Sequence, residues 1–392
     1  MLEKPSVFPS DPRFSSGPCR KRPGWTPDVL AKGVLGRSHR SVAGQERLKS
    51  VIEQHKNALS IPDDWRVALV PGSDTGAMEM AMWNLLGPRG IDVLAWEVFG
   101  AIWVDDLKNH LRLPNLRVFE APFGHLPDLS QVNWSHDVVF PWNGTTSGVC
   151  VPDGGWIAED RQGLAICDAT SALLAMDVPW AKLDVVTWSW QKALGSEAAH
   201  GMIALSPRAL NRLKTYRPPW PIPKILRLTV NGCVNDNLFA GETLNTPSLL
   251  CVEDALDALA WVIKEGGEAF LKQRSKQSLC IVQQWVSSSS WAAFLAEDPK
   301  TVSCSSICLK IVAPWFVALP PDQQQKAARE IASLLERENV AYDIASYRGV
   351  TPGLRFWAGP TVLTSDIECL LPWLDWAEKM VASDMCKSTV KV

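Results

Sequence analysis

A surplus of either charge is missing from this chain: 39 Lys and Arg stand against 42 Asp and Glu, for a formal net charge of −3 over 392 residues. That balance excludes long-range attraction to nucleic acid or anionic lipid, while local arginine clusters remain free to bind small anions. No run approaches the roughly 18 apolar residues of a membrane span, and the opening stretch from Met1 to Phe14 lacks an apolar signal region. A cytoplasmic protein with neither a membrane nor a nucleic-acid partner is therefore expected. The ten cysteines contain no C-x-x-C pair, and the closest two, Cys304 and Cys308, have no histidine nearby, so neither a metal site nor a disulfide framework is expected. Scattered cysteines in a chain of this length read as buried reduced thiols. Tyrosine is scarce at 3, whereas tryptophan is abundant at 19, and the tryptophans follow no period, which suits core and subunit contacts better than a repeat.

What is present is a globular composition, 46% hydrophobic and 21% charged, in a chain long enough for more than one core. Residues 1–27 are rich in Pro, Ser and Gly and read as an extended arm over the surface. Short apolar runs then alternate with helical ones. Strands are expected at Arg66–Val70, Val93–Trp96, Arg117–Glu120, Asp137–Trp142, Leu164–Cys167, Val185–Trp190 and Met202–Leu205, with helices at Val42–Leu59, Ala77–Leu86 and Ile102–Leu111. This alternation predicts an α/β fold, a mostly parallel seven-stranded sheet sandwiched by helices, over 28–265. A helix over Pro247–Lys264 closes that domain. Residues 266–392 read as a smaller C-terminal α+β domain with a helix after Gly266-Gly267, strands near Ile307–Val312, Trp315–Ala318 and Ala341–Ile344, and helices at Asp322–Glu338 and from Ser365.

The chemistry-bearing residues fall at strand ends, where ligands sit in open parallel sheets. Lys192 follows the run Val185–Trp190, and Asp168 follows Leu164–Cys167. An amine and a carboxylate delivered this way suit pyridoxal phosphate, for which a lysine forms the Schiff base and an acid partners the pyridinium nitrogen. Gly72-Ser73-Asp74-Thr75-Gly76 leads from a strand into an apolar helix, so its free N–H groups and the helix dipole can hold a phosphate. Taken singly, that turn is also ordinary N-capping, and Asn143–Gly148 is also an ordinary polar turn. The combination with Lys192 and Asp168 makes the cofactor reading the stronger one.

Together these residues resemble the phosphoserine aminotransferases, a branch of the fold type I pyridoxal phosphate enzymes. The resemblance spans nearly the whole chain and is carried by Phe14-Ser15-Ser16-Gly17-Pro18-Cys19, Ser38-His39-Arg40-Ser41, Asn143-Gly144-Thr145, Asp168-Ala169-Thr170-Ser171, Gln191-Lys192 and Leu244-Asn245-Thr246-Pro247. It implies that Lys192 forms the Schiff base, that Asp168 pairs with the pyridine nitrogen and that Thr145 bonds the phenolic oxygen. Trp103 would stack on the ring, with Phe99 as the other candidate. Ser73 and Asp74, or Asp74 and Thr75, would contact the phosphate together with Gln191. Asn245 and Thr246 would reach the phosphate from the other subunit, so an obligate homodimer with shared sites is implied.

On the substrate side the resemblance assigns Arg355 to the α-carboxylate. His39, Arg40 and Arg348 would hold the distal phosphate or the glutamate side chain, and Tyr347 stands where a bacterial form has histidine. Guanidinium forks suit both anions. The implied reaction is a ping-pong transamination between O-phospho-L-serine and 2-oxoglutarate in serine synthesis, with 4-phosphohydroxythreonine of pyridoxine synthesis as a second implied substrate. Alternatives are a serine or alanine:glyoxylate aminotransferase of the same fold, a cysteine desulfurase, for which no cysteine lies in a recognisable mobile loop, and a catalytically silent protein that kept the fold.

Overall fold

The computed structural model describes residues 3–389. Seven strands form the main sheet: β1 (Arg66–Pro71), β2 (Ile91–Ala95), β3 (Leu116–Glu120), β4 (Asp137–Pro141), β5 (Ala165–Asp168), β6 (Val185–Ser189) and β7 (His200–Leu205). Their order across the sheet is β1-β7-β6-β5-β4-β2-β3. Pairing is parallel from β6 through to β3, and only β7 runs against its neighbours β1 and β6. β2, β4, β5, β6 and β7 are buried along their whole length, whereas the edge strand β3 is partly exposed. This is why most of them read as continuous β-branched runs rather than alternating ones.

All seven expected strands are present to within a residue or two. The helices α1 (Val42–Ala58), α2 (Ser73–Leu85), α3 (Val98–Asp105), α4 (Pro207–Thr215) and α5 (Leu249–Lys264) surround the sheet. Ser41, Ser206 and Ser248 cap α1, α4 and α5, each accepting a backbone N–H from three residues on, as short hydroxyl side chains do. The helix expected over Ile102–Leu111 begins earlier, at Val98, because the Glu97 side chain accepts the Gly100 N–H and caps it. It then widens into a π-helical turn over Asp106–His110.

The C-terminal part carries α6 (Gly267–Ser288), α7 (Pro321–Arg337) and α8 (Thr364–Thr389) against an antiparallel sheet of β8 (Ala292–Phe294), β9 (Ser306–Ile311) and β10 (Gly353–Trp357). Two expectations fail here. Trp315–Ala318 is no strand but belongs to a single helical turn, Pro314–Val317, since proline at the first helical position presets φ and loses no bonded N–H. Ala341–Ile344 forms only isolated bridges, Tyr342 to Arg13 and the adjoining Ala345 to Leu354. Asp343, at φ 59°, breaks the extended path between them.

The N-terminal segment also departs from a surface arm. Phe14, Ser16, Cys19 and Arg20 are buried. The Trp357 N–H donates to the Phe14 carbonyl at 2.8 Å and the Cys19 N–H to the Gln191 carbonyl at 2.7 Å, so residues 14–20 thread between the two sheets. Arg20 is anchored there by Asp366 at 2.6 Å. Tryptophan serves the core as expected, with Trp96, Trp142, Trp190, Trp357 and Trp373 among the largest fully buried side chains. Nine described cysteines are unpaired; five are buried, while Cys233 and Cys280 are exposed. Among the described residues no helix is long and apolar enough to cross a membrane.

Candidate active site

Since β1, β2, β4, β5 and β6 all point the same way, their carboxyl ends meet at one edge of the sheet. A cavity of about 300 Å3 opens there, lined by Ser73, Asp74, Thr75, Glu97, Phe99, Trp103, Thr145, Asp168, Gln191 and Lys192 among others. Each arrives by a short path from its strand. β1 leads to Ser73–Thr75 at the start of α2, β2 to Glu97, β4 to Thr145, β5 ends on Asp168, and β6 leads to Lys192.

Lys192 is buried, and its ammonium donates to the Ser16 carbonyl. A methyl group added at Gly17 would force that ammonium to shift, and the Gly17 φ of 148° is itself one that favours glycine. Burial pushes the Lys192 pKa down, and the nearby Arg355 cation pushes it the same way, so the neutral amine is favoured more than in water. Asp168 pairs across the sheet with Pro141 on one side and Thr187 on the other, and its Oδ1 accepts the Thr170 N–H at 3.0 Å. The Thr145 hydroxyl donates to Ser171 Oγ at 2.8 Å, and Ser306 Oγ donates to the Thr145 carbonyl at 2.7 Å.

Two further buried carboxyls share this cavity, and neither forms an ion pair among the described residues. Asp74 is held well above the ordinary carboxylate range, by burial and by the charge of Asp168 beside it. Glu97 accepts the Gly100 N–H at 2.7 Å and the Thr146 hydroxyl at 2.9 Å, which ties the start of α3 to the Thr145 loop. Burial nevertheless pushes Glu97 up to about 7 from an ordinary 4.5. The folded protein therefore binds this proton more tightly than the unfolded chain. The associated stability is fully present below about pH 4.5 and is lost as pH rises through 7, by up to ~3 kcal/mol. Thermal melts across this window should show that loss, and Glu97→Gln should flatten it; parallel profiles for the two proteins would refute the assignment.

Of the residues expected at the site, Ser73, Asp74, Thr75, Trp103, Thr145, Asp168, Gln191 and Lys192 line this one cavity. Trp103 is 2% exposed and packs into the core beneath, whereas Phe99 is half-buried. Arg355, on β10, is buried and close enough to Lys192 to shift it. Arg348 is exposed. His39, Arg40, Asn245 and Thr246 are not among the residues lining this protomer's cavity. Glu97 escaped the sequence reading; an acid at the end of β2 repeats the placement of Asp168 at the end of β5, and that parallel was the available signal.

The residues fit pyridoxal phosphate. Asp74 Oδ1, Asn143 Oδ1, Gln191 Oε1 and Arg355 Nε are buried without a hydrogen-bond partner, which is costly unless a bound group satisfies them. At the start of α2 the Ser73 N–H donates to the Ala199 carbonyl at 3.4 Å, while the N–H groups of Asp74 and Thr75 have no intrahelical acceptor, and both residues line the same cavity, which suits a phosphate.

No family model matches the chain. It is 49% identical over 378 residues to the phosphoserine aminotransferase of Methanosarcina barkeri, covering 96% of this chain and 100% of that one. The Methanosarcina mazei phosphoserine aminotransferase is similar at the same identity and coverage. Among solved structures, the Cytophaga hutchinsonii phosphoserine aminotransferase superposes with a TM-score of 0.78 at 20% identity, covering 93% of this chain and 98% of that one. A pyridoxal phosphate-bound phosphoserine aminotransferase from Trichomonas vaginalis gives 0.76 at 17%, covering 92% and 99%.

Proposed function

We propose how the site works from the premise that this chain belongs to the phosphoserine aminotransferases. It transfers an amino group from L-glutamate to 3-phosphohydroxypyruvate, yielding 2-oxoglutarate and O-phospho-L-serine, and the reverse. The observation that carries this reading is the meeting of buried Lys192 and Asp168 in one cavity with the start of α2. When bound there, pyridoxal phosphate supplies the electron-accepting ring that lets a proton leave the amino acid α-carbon.

Lys192 would tether the cofactor through its amine and, with a lowered pKa in the same cavity, would take up and return the proton of the substrate α-carbon. Asp168 would pair with the pyridine nitrogen, where its charge favours the protonated ring. The amides of Asp74 and Thr75, with the Ser73 hydroxyl and Gln191, would hold the phosphate. Trp103 would stack on the ring, with Phe99 as the other candidate, since both line the cavity. Thr145 meets the phenolic oxygen, and Arg355 receives the α-carboxylate.

His39, Arg40, Asn245 and Thr246 of each protomer complete the partner's site in a homodimer. Exposed apolar side chains flank both pairs, Leu35 at 44% and Val42 at 73% beside the first and Leu250 at 47% beside the second, and such a surface is expected to be covered. Arg348 joins His39 and Arg40 around the distal anion. The chain divides into the arm 1–27, a cofactor domain 28–265 and a smaller domain 266–392, with the arm passing between the two.

A coupled assay with 2-oxoglutarate tests the substrate class. O-phospho-L-serine is expected to exceed unphosphorylated serine by at least ~100-fold in kcat/KM, because the cationic donors assigned to the distal anion have nothing to bind in the smaller substrate. Equal values for the two would overturn the proposal.

A further inference from the structure

Arg355 is a buried cation with no paired counter-charge among the described residues. It is 9% exposed, forms no ion pair among the described residues, and leaves Nε without a hydrogen-bond partner. What it has instead is an aromatic face: its guanidinium carbon lies 5.3 Å from the ring centroid of Tyr347. Tyr347 in turn meets Phe99, with centroids 5.9 Å apart and planes at 49°. The tyrosine is braced by a small apolar cluster containing Leu295, Cys308 and Val350, with Val98 and Phe123 at its margin. Cys308 is also the strand partner of Arg355. A continuous ladder Arg355–Tyr347–Phe99 thus joins β10 to the start of α3, two elements from opposite ends of the chain.

We propose that Tyr347 is a positioning residue for α-carboxylate capture: its ring holds the Arg355 guanidinium in the orientation that accepts a carboxylate and braces it against Phe99 at the cavity wall. The proposal rests on the assignment of Arg355 above. A planar cation against an aromatic face keeps its N–H edge free for a bidentate carboxylate, so the aromatic stabilises the empty site without competing for the ligand. Both substrates of a transaminase present an α-carboxylate, so Tyr347 acts equally on each. A residue serving the distal anion would instead discriminate between them.

The test uses the full-length holoenzyme carrying Tyr347→Phe or Tyr347→Leu. It measures KM and kcat for O-phospho-L-serine and for L-glutamate, and the dissociation constant of glutarate from the change in cofactor absorbance. The leucine variant is expected to raise both KM values and the glutarate constant together by about 10-fold, with kcat within about twofold, and the phenylalanine variant to stay near the wild type. A rise for O-phospho-L-serine alone, or no change with leucine, overturns the proposal. Should the leucine variant not fold, Tyr347→His, with a smaller ring, is read by the same comparison and overturns the proposal on the same outcomes. Arg355→Lys separates the underlying assignment: unchanged glutarate binding removes Arg355 from the α-carboxylate, whereas weakened binding with an inert Tyr347→Leu removes only the ladder.

Discussion

Lys192→Ala is expected to abolish transamination, lowering kcat by about 10⁴-fold or more, because it removes the cofactor tether and the proton carrier in one step. The fold is expected to survive. Lys192 is buried and donates to the Ser16 carbonyl, and because it forms no ion pair among the described residues, exchanging it for a methyl group removes a desolvation cost. The variant should therefore melt within a few degrees of the wild type while losing the visible band of a lysine-linked cofactor. Turnover retained in the coupled assay would sink the assignment, and a collapsed melt would show that Lys192 holds the N-terminal segment in place.

Asp168→Asn should separate activity from stability in the opposite sense. An amide cannot keep the pyridine nitrogen protonated, so kcat should fall about 10²-fold and the cofactor should bind more weakly. Yet Asp168 sits against Asp74 in a buried pocket, and after burial its charge is the largest cause raising the Asp74 pKa. Removing that charge relieves two crowded carboxyls, and Asn can still accept the Thr170 N–H. The apo variant should thus be as stable as the wild type or more so, which is the usual cost of a site arranged for function. Apo-protein melts and cofactor titration test this together: an unchanged rate counts against the ring-nitrogen role, and a clearly lower melting temperature counts against carboxyl crowding.

Much of the main sheet was legible because its strands are short apolar runs separated by helical periods, and burial on both faces leaves such runs little freedom. The polar residues that follow those runs had few places to go except the open edge, so Lys192, Asp168, Thr145 and Ser73–Thr75 could be picked out before any coordinates. The smaller sheet was harder. β10 was visible only as the setting of Arg355, and Ala341–Ile344 resembled a strand until Asp343 turned into the left-handed region. Periodicity does not register a single residue of reversed φ, nor the proline that made Trp315–Ala318 part of a helical turn.

Other features depend on neighbours far away in the chain. The composition of residues 1–27 suits an exposed arm, and nothing local signals that Ser16 would meet Lys192 or that Gly17 would lie against its ammonium. Glu97 reads as a polar residue before a helix, and its raised pKa exists only because folding excludes water and brings Asp168 near. Phe99 and Trp103 sit four residues apart on one helix, and only the fold shows that both line the same cavity. The sequence by itself determined the sheet, the edge at which the site forms and the lysine–aspartate pair, because these follow from local hydrophobic pattern. Tertiary structure alone decided which carboxyls have raised pKa values and that Tyr347 lies against Arg355, because burial and electrostatic fields are properties of assembled neighbours.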